Sequence, residues 1–229
     1  MWALFWRLYA AHLSVDFPLQ TPLMLEQKGQ IRGVIIHSFL VFATSVIVVM
    51  PAAFYRPMLL IMALLIAIAH FLIDWLKTVT GDVSARIGLL LFIVDQAVHA
   101  GVILLSAAVF GWGYYYGEPG VFARLSLAIF AVWGAPIVIY IVKQAVRNQT
   151  EVGIYRERFA KLAILERALL FLGLSMRSLP LIIGCVVCAI AIRVWLLLNE
   201  EKVPIPAWEW LIVIASASVG RYLAFGALI

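Results

Sequence analysis

Residues 58–77 read MLLIMALLIAIAHFLIDWLK, and the fold follows from them. Met58 to Ala69 are apolar without a break, and His70, Asp74 and Lys77 then arrive at intervals of four and three. Those intervals put all three on one helical face. Twenty residues of α-helix rise about 30 Å, the thickness of a hydrocarbon core. A transmembrane strand would alternate apolar and polar residues over about ten positions, so a barrel is excluded. The stretch is a membrane helix whose last two turns carry ionisable groups.

The rest of the chain has the same character. Of 229 residues, 65% are hydrophobic and 13% charged, with a mean hydropathy of +1.06, against roughly 45 to 50% apolar and 25% charged in soluble domains. Apolar runs predict helices over 2–16, 32–54, 58–77, 86–110, 122–146, 160–176, 179–198 and 207–228. The expected fold is all-α: a polytopic transmembrane helix bundle of about eight helices, or seven if the short first segment does not cross. Residues 1–110 hold the first four helices and 111–229 the last four, in one integral-membrane unit without repeats. Prolines punctuate the joints, and Pro136 inside the fifth helix is expected to kink it.

The net charge of +5 gathers in one inter-helix region holding Lys143, Arg147, Arg156, Arg158 and Lys161. Lysine and arginine distributed this way set membrane orientation, and no stripe with interleaved aromatics suggests nucleic-acid binding. That region shares a side with the turns holding Lys77 and Arg86 and the segment holding Lys28 and Arg32, so these odd-numbered loops are expected on the cytoplasmic face. Ile154 to Phe171 is expected to run along the membrane surface before turning in. Trp2, Trp6, Trp75, Trp112, Trp195, Trp208 and Trp210 lie near helix ends, as an aromatic belt requires. Cys185 and Cys188, the only cysteines, fall inside an apolar helix and are expected to be small packing residues. His12 and Asp16 interrupt the first apolar stretch, so no removed signal peptide is expected.

All four histidines lie in the first four helices, and three of the four aspartates stand four residues from one of them: His12 with Asp16, His70 with Asp74, Asp95 with His99. Three such pairings arise by chance about twice in ten thousand sequences of this composition at that helical spacing. His12 and Asp16 end the first helix, His37 begins the second, His70 and Asp74 end the third, and Asp95 and His99 lie within the fourth. All seven therefore fall on the side of the odd loops, where four helices point them at one volume. A charge at the bilayer centre costs on the order of 2.5 to 3.5 kcal/mol, and such residues normally face a bundle interior.

Imidazole with carboxylate is the ligand set of zinc, iron or manganese, and a carboxylate also orients an imidazole as its hydrogen-bond partner. Gln20, Lys77 and Gln96 flank the cluster and suit a substrate oxygen or phosphate. The same residues also fit a proton or ion relay, or interhelical hydrogen bonding. Glu166, Arg167, Arg193 and Arg221 are further intramembrane charges, and pairing among Glu166, Arg193 and Arg221 is expected to offset their cost. The alternative is that these arginines hold an anionic lipid headgroup.

AAHLSVDFPLQT (10–21), IIHSF (35–39), HFLIDWLK (70–77) and FIVDQAVH (92–99), in this order, resemble a bacterial membrane-protein family, domain of unknown function 3307. The resemblance covers roughly residues 5–105. KLAILERALLFL (161–172) and AWEWLIVIASASVGRYLAFGAL (207–228) resemble segments of its longer members, with Lys161 where the family usually has glycine. It implies a topology and a site rather than an activity. A more distant similarity is to predicted membrane-bound metal-dependent hydrolases, an analogy of association.

The expected function is accordingly a metal-dependent hydrolase of a lipid or lipid-linked substrate. Its ligands are His12, His37, His70, Asp74, Asp95 and His99, with Asp16 as base or extra ligand and Lys77 and Gln20 toward the substrate. The expected cofactor is a divalent transition ion, zinc first, with iron or manganese as alternatives. Expected partners are membrane lipids and protein partners in a membrane complex or homo-oligomer, with no nucleic acid. The competing expectation is a non-enzymatic transporter, proton relay or accessory subunit.

Overall fold

The computed structural model describes residues 1–19, 30–79, 84–114, 119–147, 157–176, 178–199 and 208–225. Among them the chain is entirely helical: α1 (Trp2–Asp16), α2 (Ile31–Ala53), α3 (Met58–Val79), α4 (Ala85–Phe110), α5 (Pro119–Ile129), α6 (Ala135–Arg147), α7 (Glu157–Ser175), α8 (Leu179–Asn199) and α9 (Trp208–Phe225). A π-helical turn at Phe130–Gly134 joins α5 to α6 as one rod. Five segments are long and apolar enough to cross a membrane: Ile31–Ala53, Met58–Val79, Arg86–Phe110, Pro119–Val142 and Leu179–Leu198.

Helix α3 shows which medium surrounds the bundle. Its buried residues, Leu59, Met62, Ala63, Ile66, Ala67, His70 and Asp74, recur at three and four and form one stripe. Ile61, Leu64, Leu65, Ile68, Leu72 and Leu76 point outward and are exposed. A soluble protein rarely exposes so broad an apolar face or buries paired ionisable groups behind it. In lipid both choices are favourable, because hydrocarbon solvates leucine and leaves polar groups to satisfy one another inside. The chain is a multi-pass helical membrane protein.

Helix α1 occupies the middle of the bundle and packs on α2, α4 and α5. Its 15 residues rise only about 22 Å. Leu4, Leu8, Ala10, Ala11, His12, Leu13, Val15 and Asp16 are all buried, so it is covered on nearly every side. The end carrying His12 and Asp16 is anchored by Leu13 and Phe17, which pack with Ile129, Trp133 and Ile137. Its other end joins Val41, Val49, Leu59, Met62, Ile66 and Ile103 in a dry apolar core.

Pro136 explains the π turn. Proline lacks an N–H, and its ring collides with the carbonyl four residues earlier, here that of Val132. Widening the turn over Phe130–Gly134 relieves the collision and releases that carbonyl, which accepts a bond from Arg167 Nε at 3.0 Å. Gly134 lets Phe17 approach: a Cβ there would meet the Phe130 ring at 2.8 Å and Phe17 Cζ at 3.3 Å.

From Glu157, α7 is one unbroken helix, with Ala163, Glu166, Arg167, Leu170 and Phe171 buried against α8, α9 and the π turn; Ile154 lies outside the described residues. Cys185 packs on Gly173, where an added Cβ would come 2.6 Å from the Cys185 Cβ.

Candidate metal centre

The stripe of α3 ends in His70 and Asp74, which meet the end of α1 (His12, Asp16), the start of α2 (His37) and the middle of α4 (Asp95, His99). All seven side chains are buried. Each i,i+4 pair is in contact: His12 Nε2 to Asp16 Oδ2 at 3.5 Å, His70 Nε2 to Asp74 Oδ2 at 3.4 Å, and His99 Nδ1 to Asp95 Oδ1 at 3.6 Å. The shortest contact runs between helices, from His37 Nε2 to Asp16 Oδ1 at 3.0 Å. His37 Nε2 also lies 3.6 Å from Asp74 Oδ2, His70 Nε2 lies 3.9 Å from Asp16 Oδ1, and His99 Nε2 lies 3.9 Å from Asp74 Oδ1. The imidazoles pack ring to ring, with centroids 4.2 Å apart for His70 and His99 and 5.0 Å for His12 and His99.

The remaining bonds orient these groups. His99 Nδ1 donates to the main-chain carbonyl of Asp95 at 2.8 Å. A carbonyl only accepts, so the proton sits on Nδ1 and the Nε2 lone pair faces the cluster. Gln96 donates to Asp16 Oδ2 at 3.1 Å. Tyr9, which no sequence pattern singles out, stacks on His12 with centroids 6.2 Å apart. Lys77 donates to Asp95 Oδ2 at 3.0 Å and is 44% exposed, which makes this ion pair the edge of the pocket nearest the surface. Lys77 is thus engaged with a carboxylate rather than reaching alone toward a substrate. Gln20 lies outside the described residues.

What this cluster can do follows from its unmet atoms. His12 Nε2, both ring nitrogens of His70, Asp95 Oδ1 and His99 Nε2 are buried without a hydrogen-bond partner among the described residues, an arrangement costing about 1 to 3 kcal/mol per atom if nothing fills it. Three triads, His12–Asp16–His70, His37–His70–Asp74 and Asp74–Asp95–His99, each bring donor atoms within 4.8 Å of one another. Ligands about an ion with bonds near 2.1 Å stand about 3.4 Å apart in a tetrahedron, so the donor set fits a metal ion.

A second polar cluster lies among α7, α8 and α9. Glu166 is fully buried; it accepts from Arg193 Nε at 2.6 Å and from Trp210 Nε1. The guanidinium of Arg193 lies over the Trp210 ring, 5.5 Å from its centroid. Arg221, expected as the third member, is exposed instead. Trp210, expected in the aromatic belt, turns inward and takes that place, because its indole N–H is the donor that reaches the carboxylate.

The fold and this site define a multi-pass helical membrane protein with a buried histidine and aspartate cluster able to hold metal. Residues 4–115 match the family model described as Protein of unknown function (DUF3307). Residues 4–115 belong to that family, and this segment holds α2 to α4, nearly all of α1, and all seven cluster residues. No curated protein and no solved structure matches the chain.

Proposed function

We propose that this protein is a metal-dependent hydrolase of a lipid or lipid-linked substrate, working at the cytoplasmic face of a bacterial inner membrane that all eight helical rods cross or enter. The observation that carries the reading is the convergence of four imidazoles and three carboxylates from four helices, with buried His12, His70 and His99 nitrogens that have no hydrogen-bond partner among the described residues. His12, His37, His70, Asp74, Asp95 and His99 would hold a divalent transition ion, zinc first, then iron or manganese. When bound, the ion supplies Lewis acidity and a water of lowered pKa. Asp16 is positioned by Gln96 to accept a proton or to serve as a further ligand. The Lys77–Asp95 pair at the edge of the cluster faces an incoming phosphate or ester oxygen in this reading, and Gln20, four residues beyond Asp16 in sequence, is the further group assigned to the substrate.

A proton relay or transporter reading requires polar groups on toward the opposite face. The neighbouring core packs Leu4, Leu8, Val49, Leu59, Met62 and Ile103 together, and this apolar barrier favours chemistry at one face. Elemental analysis of detergent-purified protein is expected to find at least one equivalent of a transition metal per chain. Less than a tenth of an equivalent ends the proposal, and cluster variants that stay folded but lose ion flux in proteoliposomes replace it with transport.

A further inference from the structure

The two oxygens of each inner carboxylate face different histidines. Asp16 turns Oδ1 to His37 and His70 at 3.0 and 3.9 Å, and Oδ2 to His12 at 3.5 Å. Asp74 turns Oδ2 to His37 and His70 at 3.6 and 3.4 Å, and Oδ1 to His99 at 3.9 Å. One donor set is therefore His37 Nε2, His70 Nε2, Asp16 Oδ1 and Asp74 Oδ2, whose four nitrogen–oxygen separations of 3.0 to 3.9 Å bracket the about 3.4 Å edge of a tetrahedral site. The opposite set is His12 Nε2, His99 Nε2, Asp16 Oδ2 and Asp74 Oδ1, built on the stacked His12 and His99 rings.

We infer that the cluster is a two-ion centre, with His37 and His70 on one ion, His12 and His99 on the other, and Asp16 and Asp74 bridging both. A single ion in the first set would leave His12 Nε2 and His99 Nε2, both buried without hydrogen-bond partners, aimed at carboxylate oxygens with nothing between. The tautomer of His99, set by its bond to the Asp95 carbonyl, leaves the nitrogen facing the second set ready to ligate. Asp95 then belongs to the edge of the pocket with Lys77, and Asp16 is a bridge rather than a base. Two divalent ions against two inner carboxylates leave the pocket net positive, so the substrate it draws is anionic, a phosphate ester before a carboxylic ester. Paired ions are suited to clamping both oxygens of a phosphoryl displacement.

The inference rests on the metal-dependent reading, and one experiment separates the two. The full chain in detergent is stripped of metal and titrated with manganese, with bound ion counted and its electron paramagnetic resonance spectrum recorded. Two equivalents with an exchange-coupled spectrum are expected. One equivalent with the signal of an isolated ion overturns the two-ion centre and leaves the metal-dependent reading standing; two uncoupled equivalents overturn the shared bridges; none bound overturns both. Asp74→Asn, which keeps shape but offers one ligating oxygen, is expected to weaken the coupling, with Asp16 left as the remaining bridge, and an unchanged coupling overturns the Asp74 bridge. If Asp74→Asn is unfolded, His99→Gln with stoichiometry falling from two to one serves in its place, and an unchanged stoichiometry refutes the assignment.

Discussion

At residue 166 the bundle holds a carboxylate with no exposure, and among the described residues Arg193 and Trp210 answer it. Replacing one member of a buried pair strands the other, at about 3 to 5 kcal/mol, whereas replacing both by apolar groups of similar volume is often neutral. Glu166→Leu alone is therefore expected to lower unfolding stability in detergent by about that amount, and Glu166→Leu with Arg193→Met to recover most of it. Thermal or denaturant melts of the single and double variants check this; a double variant no better than the single removes the pair from the account. Individual residues were legible in sequence where helical spacing carried the information: His12 with Asp16, His70 with Asp74, Asp95 with His99. His37 Nε2 on Asp16 Oδ1, at 3.0 Å, was not, because it joins two helices and depends on how each is rotated. The same rotation of α9 decides that Trp210 and not Arg221 faces Glu166.

Among the elements, helix limits were legible to within about three residues of the observed ones, because each apolar run stops at proline, glycine or charge. The expected kink at Pro136 appears as a π turn ahead of it. Proline announces only that a carbonyl is lost to the helix; whether the turn widens depends on a partner for Val132, and Arg167 comes from another helix. This turn also seats Phe17, one residue beyond Asp16, through the space left by Gly134. Gly134→Val fills that space against the Phe130 and Phe17 rings, and overpacking of this kind costs about 1 to 3 kcal/mol. Because Phe17 must move, the variant is expected to weaken metal binding by the cluster although it touches no ligand. A metal titration of the folded variant reads this directly, and wild-type affinity with lowered stability would confine the turn to packing.

For the molecule as a whole, hydropathy told where the helices lie, five of them long and apolar enough to cross a membrane, but not which neighbour each one chooses. Lipid tails are as apolar as leucine, so burial alone gives two spans little reason to meet, and close packing with interhelical polar bonds decides. The central place of α1 follows from such contacts: its cluster end is held by His37 from α2, Gln96 from α4, and the apolar grip of α5 and the π turn on Leu13 and Phe17. The amino-terminal half carries every ligand, yet one wall of α1 comes from α5 in the other half. Residues 1–114 expressed alone are thus expected to stay helical but to hold metal at least tenfold more weakly than the full chain, about 1.4 kcal/mol. Co-expression of 115–229 is expected to restore the affinity, since α5 then returns to the face of α1 that it covers. Titration of fragment, reassembled pair and full chain side by side tests this: equal affinity in the isolated fragment means that α1 needs only α2 to α4 to place His12 and Asp16, and that the carboxyl-terminal helices serve some other end.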